Sequence, residues 1–186
     1  MGVPAFNKVT KQWTSTDSGV DLTPASDWII DPIFNPDKET CMRHGPEFWS
    51  YSGNVISTIS ETDYQTAILN KKKLQKWREI QAERDRRMFG GVKVGNYWFH
   101  TDDISRVQQL GLLMMGSSMP TGIMWKTMTG EFVEMTPALI QQIFNAVGNH
   151  DITTFGVAEQ HRANMNASPD PENYDFSAGW PLIYGE

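Results

Sequence analysis

The residues with the clearest capacity for chemistry are His44, His100, His150 and His161, the lone Cys41, and the adjacent pair Asp102-Asp103. Metal binding needs ligands at helix or turn spacing, such as two histidines four apart with a carboxylate between them. The four histidines are scattered and form no such pair. Nucleophilic catalysis by Cys41 needs a base beside it. The nearest histidine is His44, on a stretch with no clear regular element. Asp102-Asp103 could act as paired acids, but at a helix start their charge already has a purpose, because the N-terminal dipole favours it. Glycine-rich phosphate loops, nucleophile elbows and zinc motifs are absent from the sequence. The expectation is therefore a non-enzymatic protein with no catalytic, cofactor-binding or metal site.

A second chemical feature is the basic run Lys71, Lys72, Lys73, Lys76, Arg78, Arg84, Arg86, Arg87 and Lys93, more than half of the 16 basic residues. Such a run could neutralise phosphates, with Trp77 stacking on a base. It is also the pattern of a solvated helix face, because Glu79, Glu83 and Asp85 are interleaved at pairing distance. A protein partner with an acidic face is the remaining reading. The whole chain carries a net charge of −6 with pI near 5.2, so it has no global attraction for nucleic acid or anionic lipid. Nucleic acid and membrane are accordingly not expected as partners. No apolar run approaches the roughly 18 residues of a membrane span, and the N-terminal stretch lacks the apolar core of a signal peptide. One cysteine cannot make an internal disulfide, which fits a product of the cytoplasm. Seven Trp and ten Met supply large contact areas suited to a core or an interface.

The elements that must carry these residues form an α+β pattern in four parts. Residues 1–60 read as a β-rich, irregular region. Short runs at Phe6–Val9 and Trp28–Ile30, and a hairpin over Phe48–Ile56 turning at Ser52-Gly53-Asn54, are punctuated by Pro24, Pro32, Pro36 and Pro46. These strands promise little core of their own and are expected to need a partner surface. Residues 61–89 read as a basic connector helix from Thr62 to Phe89, capped by Thr62 or Asp63 and ended by Gly90-Gly91. Residues 90–167 read as a small ββα-ββα domain. The hairpin Val92–Val94/Tyr97–Phe99, with a Gly95-Asn96 turn, precedes a helix over Ile104–Met115. The hairpin Ile123–Thr127/Glu131–Met135 precedes a helix from Pro137 to about Asn166, capped by Thr136. Residues 168–186 are a polar tail with aromatic anchors.

The core of the ββα-ββα domain is predicted to include Trp98, Leu110, Trp125, Phe132, Ile143 and Phe144. The connector helix carries a weak heptad, so Ala67, Ile68, Leu74, Trp77 and Met88 are predicted to form a partner-binding stripe. Trp77 would be its anchor, joined by Tyr174 and Trp180 of the tail. Polar Asn70, Gln81 and Arg84 weaken that seam for self-association.

The run Gly91-Val92-Lys93-Val94-Gly95-Asn96-Tyr97-Trp98-Phe99-His100-Thr101-Asp102 resembles the opening of an uncharacterised domain of phage tail-fibre and tail-fibre-assembly proteins. In that family a G-V-x-V hairpin is followed by an aromatic, T-D, and a helix rich in Ser, Arg and Gln, here Ser105-Arg106-Val107-Gln108. Trp125-Lys126-Thr127 and Gly130-Glu131-Phe132-Val133-Glu134-Met135-Thr136 match its second hairpin. The helix around His150 and the lead-in Glu83-Arg84-Asp85-Arg86-Arg87 are also similar. The resemblance covers about residues 75–167 and carries no catalytic residues. It implies a component of the virion tail, made in the host cytoplasm, that assembles or attaches tail fibres through protein contacts. Tail-fibre or other tail proteins are the implied partners, and a homotrimer follows by analogy with threefold fibres. Two further readings stay open: a host-surface glycan-binding or glycan-cleaving tail protein, which needs a carboxylate pair in an aromatic groove, and a nucleic-acid-binding module resting on the basic helix.

Overall fold

The structure is a computed structural model describing residues 2–186. It is α+β, and it divides into two compact units, 1–70 and 71–186.

In the first unit, β1 (Pro4–Asn7) lies between β2 (Trp13–Ser15) and β3 (Trp28–Ile30), antiparallel to both. A second sheet has β6 (Val55–Thr58) at its centre, parallel to β4 (Ile33–Asn35) and antiparallel to β5 (Trp49–Ser52). The β5–β6 hairpin turns at Gly53-Asn54, as the sequence predicts. The helix α1 (Lys38–His44), which the sequence reading misses, is capped by Asp37, whose side chain accepts from the Thr40 amide at 2.8 Å. Phe6 and Ile29 from one sheet, Trp49 and Ile56 from the other, and Cys41 from α1 make a buried core. The Phe6 and Trp49 rings meet edge to face at 5.0 Å, and the Trp49 indole donates to the Cys41 carbonyl at 2.7 Å. The expectation of little core in this region is thereby corrected. Its strands are short, but large aromatics fill the space between the sheets.

Helix α2 (Glu61–Met88) begins one residue earlier than predicted, and Ser60 is its cap. The Ser60 hydroxyl accepts from the Asp63 amide at 3.1 Å and donates to the Asp63 carboxylate at 2.7 Å. Ser60 thus satisfies one of the free amides of the first turn, in place of the expected Thr62 or Asp63 cap.

The second unit contains the later part of α2 and the predicted ββα-ββα order. Strands β7 (Val92–Val94) and β8 (Tyr97–Phe99) precede α3 (Asp103–Met115); β9 (Met124–Lys126) and β10 (Phe132–Glu134) precede α4 (Pro137–Ala167). Gly91 sits at φ +89°, where an added Cβ would strike Met128. Asp102 caps α3 by accepting from the Ser105 amide at 3.0 Å, and Thr136 caps α4 by accepting from the Leu139 amide at 3.1 Å.

Two cores build this unit. Val92, Phe99, Met119, Met135, Ile140, Ile143 and Val147 form the first. Ile80, Ala158 and Met165 form the second, with Trp77, Tyr174, Phe176 and Trp180 packed on them. Four parts at 60, 89 and 167 were expected; instead one division falls inside α2, and the tail joins the second unit. Ile143 is buried as predicted, but other core predictions need correction. Trp98 and Trp125 are only partly buried. Phe132 is exposed because strand residues alternate faces, and the pair Val133–Trp125 takes the inner one. Leu110 and Phe144 are exposed beside a groove between α3 and α4.

Candidate interaction surface

The first candidate site is the surroundings of His44. Its imidazole is buried, with Nδ1 3.0 Å from the Thr58 hydroxyl and Nε2 3.0 Å from a Glu61 carboxylate oxygen. Hydroxyl, imidazole and carboxylate in a row is an order found in nucleophilic catalysis. Here the Tyr64 ring lies stacked on the imidazole at 4.0 Å, and Glu61 is held in a two-pronged bond by Arg43 at 2.6 and 3.1 Å. The Arg43 guanidinium, then Gln65 and His44, hold the Glu61 carboxyl down at about 2. The group fastens the end of α1 to the start of α2. Cys41 is buried, and that burial pushes its thiol up, keeping it protonated and weakly nucleophilic. Asp102 is lowered by the Ser105 amide it caps. Among the described residues, no three His, Cys, Asp or Glu side chains converge as a metal site.

The basic run is largely spoken for within the chain. Lys72 meets Glu172 at 2.5 Å, Lys76 meets Glu79, and Arg84 meets Asp85. Arg86 and Arg87 share Glu83 and Glu186. This removes much of the free charge that a phosphate backbone would meet.

The predicted partner-binding residues fall in both units. Ala67 and Ile68 are half-buried in the first unit, while Leu74 is exposed in the second. Trp77 packs against Ile80, Ala158 and Met165, under the Arg162 guanidinium 4.8 Å away. Tyr174 and Trp180 are brought to the same cluster. The Tyr174 hydroxyl bonds His161 Nδ1 at 2.9 Å, and the His161 and Trp180 rings are 5.3 Å apart. Met88 is half-buried, and its carbonyl accepts from Arg106 at 2.8 Å. The aromatic anchors of the predicted stripe thus meet residues of their own chain.

The surface left open is elsewhere. Arg106 of α3 forms a bidentate pair with Asp151 of α4 at 2.6 and 3.0 Å and also donates to the Thr101 carbonyl at 2.6 Å. Above this pin runs a groove of about 280 Å³ lined by Val107, Leu110, Phe144, Val147 and Gly148. Ile104, Val107, Leu110 and Met114 on α3, with Phe144 and Ile152 on α4, are between 44% and 80% exposed. At roughly 200 Å² for a fully exposed residue of this size, they present on the order of 800 Å² of largely apolar surface. Free-standing proteins rarely leave such a patch larger than about 600 Å². The sequence reading missed this surface because it placed Leu110 and Phe144 in the core. Helix α3 is amphipathic, with Ile104, Val107, Leu110 and Met114 on one side and Ser105, Arg106 and Gln109 on the other, and the fold turns the side with Gln109 inward and leaves the apolar side exposed.

A family model described as "Domain of unknown function (DUF4376)" matches residues 71–178, more than half of the chain, and starts at the residue where the second unit begins. No curated protein and no solved structure matches the chain.

Proposed function

The chain belongs to the family of the domain of unknown function DUF4376, and we propose that it is a non-enzymatic phage tail component that assembles or attaches tail fibres through protein–protein contacts. The observation that carries this reading is the apolar face of α3 and α4. A face of this size gains most from being covered by another protein chain. The hairpin motifs Gly91–Asp102 and Trp125–Thr136, which resemble those of tail-fibre and tail-fibre-assembly proteins, supply the setting. The reading locates the protein in the virion tail. The test is retention of the chain in purified virions, or in complex with a tail-fibre protein of the same phage. Wild type is expected to be retained, and Val107→Glu, at an exposed position on the face, is expected to be lost. Retention of the variant at the wild-type level would overturn the assignment of the face. Absence of the wild type from both fractions would overturn the function.

A further inference from the structure

We propose that the partner covering the α3 face is a second copy of this chain, with the two α3 helices packed antiparallel about a two-fold axis near Gln109. This inference rests on reading the face as a protein interface and names its occupant.

Three observations carry it. The first is a large-and-small pattern that is its own complement. Ile104, Val107, Gly111 and Met114 lie along one stripe of α3, at the spacing of a packing seam. The pair Ile104/Met114 and the pair Val107/Gly111 are both centred on position 109. In an antiparallel arrangement Val107 of each copy therefore meets the gap at Gly111 of the other, and Ile104 meets Met114. Gln109 itself is buried on the opposite side, bonded to the His100 carbonyl at 2.9 Å, so the seam is free of it.

The second observation is Gly111. Glycine is the weakest helix former after proline, and a mid-helix glycine normally answers to a neighbour that needs the space. Among the described residues, a Cβ placed on Gly111 meets nothing within 4 Å. Its own chain leaves the room unused, and a side chain from another copy would use it.

The third concerns charge and area. A two-fold interface brings each surface against itself, so an unpaired charge would face its like. After Asp103, the only charged residue of α3 is Arg106, and it is neutralised by Asp151. The exposed α3 residues offer on the order of 500 Å² per copy, so two copies reach the roughly 1,000 Å² that a specific interface needs.

Light scattering on the full chain tests this. Wild type is expected at twice 21.1 kDa. Gly111→Leu is the informative variant. It adds apolar surface and fits the free chain without a clash, so a face that is merely sticky would associate more tightly. In the proposed seam the new side chain collides with Val107 of the other copy and should weaken the dimer about tenfold or more. Met114→Glu should also give monomer, with circular dichroism and melting unchanged because Met114 is exposed. A monomeric wild type, or a Gly111→Leu dimer as tight as wild type, overturns the proposal. If wild type is monomeric while Val107→Glu still loses the fibre, the seam is wrong and the proposed function stands. If the seam variants dissociate a dimer that is never retained with fibres or virions, the function falls and the seam stands.

Discussion

Glu61 shows how one exposed side chain can be set far from its ordinary titration by neighbours alone. Arg43 is the main cause, and Gln65 and His44 add to it. A carboxylate whose folded value lies below its unfolded value contributes stability above the unfolded value, near 4.5, and loses it as pH falls toward the folded value of about 2. The carboxyl of Glu61 is therefore expected to titrate with a midpoint near 2 by carbon-detected NMR, and Glu61→Gln should remove the acid sensitivity of the α1–α2 join between these limits. A midpoint near 4.5 would show that the pair with Arg43 does not persist in water. Thr154 poses a different residue-scale question. Its hydroxyl is buried in α4 with no hydrogen-bond partner among the described residues. An unsatisfied buried hydroxyl costs about 1–3 kcal/mol. Thr154→Val keeps the branched shape and removes that cost, and should raise stability to denaturant by about 1 kcal/mol. A loss of stability would mean that the hydroxyl is bonded after all.

At the scale of elements, the tail from Ser168 to Glu186 is an integral part of the second unit. It lacks regular secondary structure, yet it is tied at several points. The Trp180 indole donates to the Phe176 carbonyl at 2.6 Å, the Tyr184 amide to the Gly90 carbonyl at 2.9 Å, and Arg87 to the Pro181 carbonyl at 2.9 Å and to Glu186. Ile183 is buried against Gly90, where an added Cβ would strike it. Trp77, predicted as the anchor for a partner, instead anchors α2 to α4 and this tail. Trp77→Ala should thus destabilise the second unit by about 3 kcal/mol in denaturant unfolding. An effect confined to oligomeric state, with stability unchanged, would restore the partner-binding role.

On the scale of the whole molecule, the division after Asn70 and the start of the family match at residue 71 coincide. A fragment spanning 71–186 is expected to fold with the cooperativity of the intact unit. A fragment spanning 90–167 keeps the cluster around Ile143 but lacks Trp77, Ile80 and the tail, so Ala158 and Met165 lose their cover. It should melt at lower temperature and exchange its later α4 amides faster. Equal melting of the two fragments would show that the second cluster contributes nothing.

Both hairpins of the second unit, the α4 cap, and the α+β order were legible in the chain itself, because each rests on local chemistry. Gly95-Asn96 accepts the turn, Thr136 caps the helix that follows it, and Gly90-Gly91 ends α2. The short helix α1 was not legible, since Pro36 and Pro46 flank a run with no apolar periodicity, and it is held by Cys41 in the first core and by His44 buried against Thr58, Glu61 and Tyr64. Nor was the candidate surface. The apolar period of α3 marks the side that local pattern would bury, and the fold leaves that side exposed. Only the packing against α4, pinned by Arg106 and Asp151, sets Gln109 inside and leaves Val107, Gly111 and Met114 outside. The fate of Trp77 was decided in the same way. The aromatic residues that cover it come from some 100 positions further along the chain, a separation at which no local pattern carries information and only the folded contacts do.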